Sequence, residues 1–277
     1  MLRKILALFN IVRIPAIILE NRGLLWQFSA RNVQSRYRGS FLGLVWMFAQ
    51  PLMMLAVYTF VFSIVFKAKW GVGTVDDGKS AFAVVMFCGM AIYNFFSEAV
   101  NLCCTCVLYN ANLVKKVIFP LEILPVSQVL ATFVVGMAWF LLLFVGAWQI
   151  LGFIGWTMLL LPVVLVPLIL FTLGVSFFVA ALGVFVRDTQ YVMGVILQIL
   201  FFATPIFYPI SAVPENLRWI LECNPLTIFI EQARNVFLYG VMPDWKFLGI
   251  ATLVSCVVLQ MGSFFFVRTK KGFADVL

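Results

Sequence analysis

The stretch GVGTVDDGKS at residues 71–80 places Gly73, Gly78, Lys79 and Ser80 at the spacing of a phosphate-binding loop, G-x-x-x-x-G-K-[ST]. Such a loop works where a buried strand runs into it and a helix leaves it, so that backbone amides and the lysine meet the phosphates. Two further groups have the types for chemistry: Asp76 and Asp77 are adjacent carboxylates, and Cys103 and Cys106 have the C-x-x-C spacing of a redox or metal pair. The chain has no histidine and no second cysteine pair. The thiols therefore read as small packing residues in a helix, and the six cysteines outline no disulfide framework.

The surroundings decide among these readings. Of the 277 residues, 64% are hydrophobic and 11% charged, where a soluble domain carries roughly 25% charged residues. Crossing a hydrocarbon core of roughly 30 Å takes about 20 helical residues. Apolar runs of that order lie near 41–66, 81–107, 127–151, 157–186, 192–209 and 247–267, the fifth being short and broken by Pro205 and Pro209. The sequence predicts an all-α integral membrane protein with six transmembrane helices. It forms one unit over 1–277: a cytoplasmic or interfacial segment at 1–40, a membrane domain at 41–267 and a cytoplasmic tail at 268–277. After Arg3 and Lys4 the first apolar stretch is interrupted by Asn10, Arg13, Pro15, Glu20 and Arg22, so it is expected to stay rather than be removed as a signal peptide.

Lys and Arg mark the cytoplasmic loops of a membrane protein. The N-terminal segment, the second and fourth loops and the C-terminus hold thirteen of the 19 basic residues. The alternate loops hold the other six, partly offset by Asp76, Asp77, Glu215, Glu222, Glu231 and Asp244. Both termini are thus expected in the cytoplasm. The glycine loop then lies away from cytoplasmic ATP, in a connection too short for a nucleotide fold, with two aspartates where phosphate would sit. Its glycines and aspartates read as turn formers, and no catalytic residue, metal or cofactor is expected in this chain.

Four stretches stand out along the chain. Within 1–40, arginines mix with Leu6, Phe9, Leu24, Leu25, Trp26 and Phe28, which suits an amphipathic helix among lipid headgroups; an irregular cytoplasmic arm is the plainer alternative. At 110–127, Asn112 is placed to cap a short basic helix that Pro120 and Pro125 end; the stretch is otherwise only a positive anchor. Between 205 and 240, Pro214 opens one short helix with Leu217, Ile220 and Leu221 on a face, and Asn224 and Pro225 open another carrying Leu226, Phe229, Ile230, Ala233 and Phe237. Both are too short to span and are expected to keep their polar faces wet. Glu98, flanked one turn away by Asn94 and Asn101, is the acid deepest in an apolar run. A carboxyl there costs about 2.5–3.5 kcal/mol unless paired or hydrated, so it should face protein or water, as a structural hydrogen-bond partner or as part of a passage.

Rings form a stripe. At about 100° per residue, Tyr37, Phe41, Phe48, Tyr58, Phe62 and Phe66 fall on one side of the first span, with Trp46 and Phe60 opposite, subject to a kink at Pro51. The stripe either packs against neighbouring helices and lipid or serves as a slide for sugars, whose C–H faces rest on π-clouds without charge pairing that would trap them.

Six pieces in order, RNVQSRYRGSFLGLVWMFAQP (31–51), NANLVKKVIFPLEILPVS (110–127), RDTQY (187–191), TPIFYP (204–209), NPLTIFIEQAR (224–234) and the terminal FADVL, resemble the membrane subunit of bacterial ABC transporters that export O-antigen, teichoic acid and related polysaccharides. The likeness spans nearly the whole chain. It implies a single exporter permease domain in the bacterial inner membrane, paired with a second copy above two cytoplasmic ABC ATPase subunits that bind the ATP and Mg. The implied cargo is a lipid-linked polysaccharide, the surroundings are membrane lipids, and no nucleic acid is a partner. The resemblance also implies a coupling helix at 112–119, with Asn112, Leu113, Val114, Lys115, Lys116 and Val117, docking on the ATPase near Arg187, Asp188 and the segment 31–38. Two short periplasmic gate helices between spans five and six would carry Pro214, Leu217, Trp219, Pro225 and Phe229. Spans one and five would line the path, with Tyr37, Phe48, Tyr58, Phe62, Phe202, Phe207 and Tyr208 touching glycan.

Two rivals remain at this level. One keeps the architecture and changes the cargo to a drug, lipid or haem. The other is a membrane-embedded transferase or hydrolase acting on lipid-linked sugar, which would need a nucleophile, a positioned acid or base, or metal ligands; the lack of histidine and a lone carboxylate pair on a short outer loop weigh against it.

Overall fold

The computed structural model describes residues 13–65, 79–116, 119–152 and 155–277. The glycine loop before Lys79 lies outside the described residues, as do Phe66 and Val117. Two helices precede the first span, α1 (Arg13–Glu20) and α2 (Arg22–Tyr37). The N-terminal segment is thus helical along its described length, with a joint at Asn21. Beyond Tyr37 the chain turns through Gly39 (φ 82°) and Gly43 (φ 50°), left-handed values that glycine adopts without the clash a β-carbon would make.

The first span is wound in three ways. A 3-10 turn at Gly43–Val45 leads into α3 (Trp46–Tyr58), which continues as a π-helical stretch at Thr59–Val65. This corrects the ring stripe. Tyr37 belongs to α2 and Phe41 to the glycine turn, and the wider π turn shifts Phe62 against Phe48. Of the described rings of the stripe only Phe48 and Tyr58 share one α-helix, so a single helical wheel could not align them all.

The rest is helical too: α4 (Lys79–Cys103), α5 (Ala111–Lys116), α6 (Ile123–Leu151), α7 (Leu161–Phe185), α8 (Thr189–Phe202), α9 (Glu215–Glu222), α10 (Pro225–Phe237), α11 (Trp245–Thr269) and α12 (Phe273–Val276). No strand occurs among the described residues. Five helical stretches are long and apolar enough to cross a membrane: Gly43–Phe62, Phe82–Cys103, Ile123–Ile150, Trp156–Phe185 and Trp245–Val276. The run expected as span five differs. Its helix, α8, has 14 residues, about 21 Å at roughly 1.5 Å per residue, because Pro205 and the residue before it leave helical geometry.

The hub is α4: 83% of its membrane stretch is buried, against 6% for the first span. It packs on α6, α7 and α10, while α7 lies along α11. There a β-carbon on Gly262 would stand 1.9 Å from the Gly174 carbonyl oxygen, and one on Gly174 would stand 2.5 Å from the Leu259 nitrogen. Small residues let helix backbones meet where lipid offers no hydrophobic drive between them.

The loops sort to two ends. At one, Arg31 donates to Asn110 at 3.0 Å, Asn32 to Ser127 at 3.4 Å, Lys270 pairs with Glu122, and the Phe185 and Phe273 rings lie 5.7 Å apart. At the other, Thr157 donates to the Val236 carbonyl at 2.7 Å and the Gln232 side chain accepts from the Asp244 amide at 2.7 Å. Among the described residues these contacts join loops that the basic residues place in the same group; the connection at 66–78 lies outside them.

Candidate functional site

A cavity of about 400 Å³ opens between the first span, α4 and α8. From α4 it receives Asn94, Ser97, Glu98 and Asn101, from α8 Gln198, with Tyr58 and Phe201 as ring walls. Residues three and four apart on a helix share a face, so one edge of α4 supplies the polar wall. Among the described residues the amides of Asn94, Asn101 and Gln198 have no side-chain hydrogen-bond partner, leaving donors and acceptors for whatever enters. Glu98 is paired: Arg36 Nη1 donates to its Oε1 at 2.7 Å, and Arg36 Nη2 donates to Thr132 Oγ1. The cost of a carboxyl at this depth foretold a partner; nothing local pointed to one 62 positions upstream.

Of the seven predicted path residues, the fold gathers three around a fourth, Phe207. The Phe62 ring stacks on Phe207 at 4.4 Å and 12°, and Tyr58 and Phe202 lie 5.2 and 6.3 Å from it. Phe207 itself is only 2% exposed, so it holds rings in place and touches no cargo in this conformation. Tyr208 donates its hydroxyl to the Phe202 carbonyl at 2.7 Å. Phe48 is exposed elsewhere on the span, and Tyr37 lines a second cavity beside Arg31 and Arg38. Burial raises the Tyr37 phenol pKa, with Arg36 opposing and Glu98 adding; Tyr37 is a hydroxyl donor at neutral pH.

The segment 203–209, which breaks the expected fifth span, is not helical, and Thr204, Pro205, Ile206 and Phe207 in it are buried. Non-helical backbone at membrane depth persists only where its polar groups find protein partners. Arg234, wholly buried on α10, supplies them: Nη1 donates to Pro205 at 2.9 Å, Nη2 to Ile206 at 3.2 Å, and Nε to the Val85 carbonyl of α4 at 3.3 Å, while Glu231 Oε1 accepts from Nη1 at 2.8 Å. Asn224 Nδ2 donates to Thr204 Oγ1 at 2.9 Å and its Oδ1 caps α10 by accepting from the Leu226 amide. By position alone Arg234 is one of the six basic residues of the alternate loops. Its signal was present in the spacing: a lone arginine amid Phe229, Ile230, Ala233 and Phe237 on a helix that follows a Thr-Pro break.

This also corrects the picture of two helices with wet polar faces. On α10, Thr227, Gln232 and Arg234 are buried with the apolar residues, and Gln232 and Arg234 bond to neighbouring segments instead of water. Only α9 keeps an open side, with Leu217 and Trp219 exposed. Pro214 and Pro225 start the two helices as expected, but Phe229 is in the core and shares no surface with Trp219.

At the opposite end, Asn112 does not cap α5. The helix continues from a 3-10 turn at Leu108–Asn110, so its start has no separate cap, and Asn110 in that turn donates its Nδ2 back to the Cys106 carbonyl at 2.8 Å. Leu113 and Val114 pack inward on the core, and among the described side chains of the helix Asn112 and Lys115 are exposed. Helix α12 reaches α5, and the exposed Arg187 and Asp188 form the turn between α7 and α8. Among the described residues no group of three His, Cys, Asp or Glu could hold a metal ion.

A bundle of apolar helices around a hydrogen-bonding cleft defines a membrane transport protein. Residues 23–238 match the family model described as ABC-2 type transporter; the chain belongs to that family and is a transport subunit, not an enzyme. It is 31% identical over 271 residues to the O-antigen export system permease protein RfbA of Myxococcus xanthus, covering 95% of this chain and 99% of that protein. It is 24% identical to a protein of the same name from Klebsiella pneumoniae, covering 92% of this chain and 95% of that protein. It is 22% identical to the polysialic acid transport protein KpsM of Escherichia coli, covering 84% of this chain and 88% of that protein.

Proposed function

We propose that the chain is the membrane channel subunit of an ATP-driven exporter that carries a polysaccharide such as O-antigen, lipid-linked, from the cytoplasm across the bacterial inner membrane. The observation that carries this reading is the cleft: unpartnered amides of Asn94, Asn101 and Gln198 beside Tyr58 and Phe201 offer hydroxyl partners and ring faces together, the pairing sugars use. End-to-end similarity to permeases named for O-antigen export supports it.

In this reading two copies face each other through the thinly covered first span and α8, and α8 with the segment 203–209 makes up a sixth crossing. The end bearing α2, α5, Arg187 and α12 faces the cytoplasm, where Asn112 and Lys115 meet a separate ATPase that holds ATP and Mg. The end bearing α9 and α10 is periplasmic. Deleting the gene should abolish surface polysaccharide and trap lipid-linked glycan inside the cell, with restoration by the wild-type chain. Unchanged surface glycan in the deletion strain would overturn the cargo, leaving the transporter assignment intact.

A further inference from the structure

The three arginines near the end of α2 are held differently. Arg36 turns inward and is neutralised by Glu98 at 2.7 Å. Arg31 has neutral partners, the Asn110 amide oxygen at 3.0 Å and the face of the Phe28 ring at 4.3 Å. Arg38 is exposed and joins no ion pair among the described residues. Arg31 and Arg38 line one cavity of about 460 Å³ with Gln34, Ser35, Tyr37 and Gly43, and no acid lines it. Two guanidinium groups with hydroxyl and amide donors and no counter-charge make a site for an anion; the planar fork of arginine suits phosphate oxygens in particular.

The depth of the cavity narrows the ligand. Gly43 on its wall is also the first residue of the first span, so it lies where hydrocarbon gives way to headgroups. Beside it Phe41, Leu42, Leu44 and Val45 are all exposed, an apolar strip adjoining the cations. A free anion would have no use for that strip, whereas a phosphate carried on a hydrocarbon chain would use both.

We infer that this cavity binds the phosphate group of a lipid, with Arg31 and Arg38 on its oxygens and its chain along the strip from Phe41 to Val45. Two lipids share that chemistry: a bilayer phospholipid with one phosphodiester, and the diphosphate-bearing carrier of a lipid-linked glycan. Only the second rests on the export reading. In that case the Arg36–Glu98 pair links the two sites, since Glu98 lines the amide-lined cleft and Arg36 precedes Tyr37 of the phosphate cavity.

The test uses the permease purified with its ATPase and native mass spectrometry of retained lipid, with a short prenyl diphosphate, phosphatidylglycerol and the prenyl alcohol as probes. The wild type should retain a phosphate-bearing probe and not the alcohol. Arg31→Gln with Arg38→Gln should weaken that retention about tenfold or more, the scale of losing charged hydrogen bonds, and Arg38→Gln alone should weaken it measurably, while Arg22→Gln, which removes the same single charge from the same helix outside the cavity, should bind like wild type. Preference for the diphosphate assigns the cavity to the cargo anchor, and equal retention assigns it to a bilayer lipid. Retention of neither above the alcohol, or the same loss in Arg22→Gln, overturns the site. If the double variant assembles poorly, Arg38→Gln alone carries the test, since it removes no hydrogen bond among the described residues. Binding is read without transport, so failure here and failure of the export reading are separate results.

Discussion

The Arg234 guanidinium fills the space that a side chain on Gly89 would need: a β-carbon there would lie 2.8 Å from Arg234 Nη2. One glycine in the hub helix therefore admits the cation that satisfies the Pro205 and Ile206 carbonyls. Gly89→Ala should push the guanidinium off those carbonyls, each lost charged hydrogen bond costing about 1.5–3 kcal/mol. Arg234→Lys should fare little better, since one ammonium cannot reach carbonyls on two segments as a planar fork does. Thermal unfolding in nanodiscs measures both; wild-type Tm in either variant would mean the turn is held otherwise.

Arg36 and Glu98 should be coupled. Their side chains are 13% and 44% exposed, so solvent screens part of the attraction and a coupling of about 1 kcal/mol is expected. In a double-mutant cycle of Arg36→Gln and Glu98→Gln followed by unfolding, the second substitution should cost less than it does alone. Strict additivity would show that the two groups are neighbours without being partners.

Replacing the cleft amides should separate transport from stability. Asn94→Leu and Gln198→Leu remove unpartnered polar groups and leave no buried donor orphaned, so Tm should hold while surface polysaccharide falls at matched expression. Phe62→Ala should do the reverse first, lowering Tm through loss of the Phe207 stack. Equal effects of both kinds on both readouts would place the path elsewhere.

The contact with the ATPase should depend on Lys115 and Asn112 rather than on Val114. Lys115→Glu should weaken assembly of a permease that folds normally, whereas Val114→Asp should lower the yield of folded protein by setting a charge against the core. Co-purification of the ATPase, normalised to permease, distinguishes them.

Gly174→Leu and Gly262→Leu should each prevent α7 and α11 from closing, because the obstruction is backbone that cannot swing aside. Gly194→Leu on α8, where nothing stands within 4 Å, should be tolerated. Expression and gel-filtration profiles are sufficient readouts.

Much of this was legible because bilayer physics is written in composition: length and apolar runs located the five helices long enough to cross a membrane, and the described loop ends meet as the sorting of basic residues groups them. The misses share a cause. Arg234 and Asn112 are read from their neighbours in sequence, whereas Arg234 is placed by Pro205 and Ile206 on another segment and Asn112 by a 3-10 turn that carries the helix past it; Glu98 has the partner its depth calls for, but that partner, Arg36, lies far away along the chain. The broken ring stripe had a local warning in Gly39 and Gly43, and the short α8 had one in Pro205, but how each break rejoins the bundle is a tertiary fact.

The contrast between a nearly naked first span and a buried α4 also bears on biogenesis. The first span leaves the ribosome earliest, yet its α6 neighbours begin at Ile123 and its ring partner Phe207 follows Phe62 by 145 positions. At roughly 5–20 residues per second, synthesis of that interval takes on the order of ten seconds. Within that time α4 and then α6 are made and can pack on it, but its ring cluster waits for Phe207. The first span is thus locked in place in stages, and a nascent chain arrested before Thr204 would carry it without the Phe207 stack.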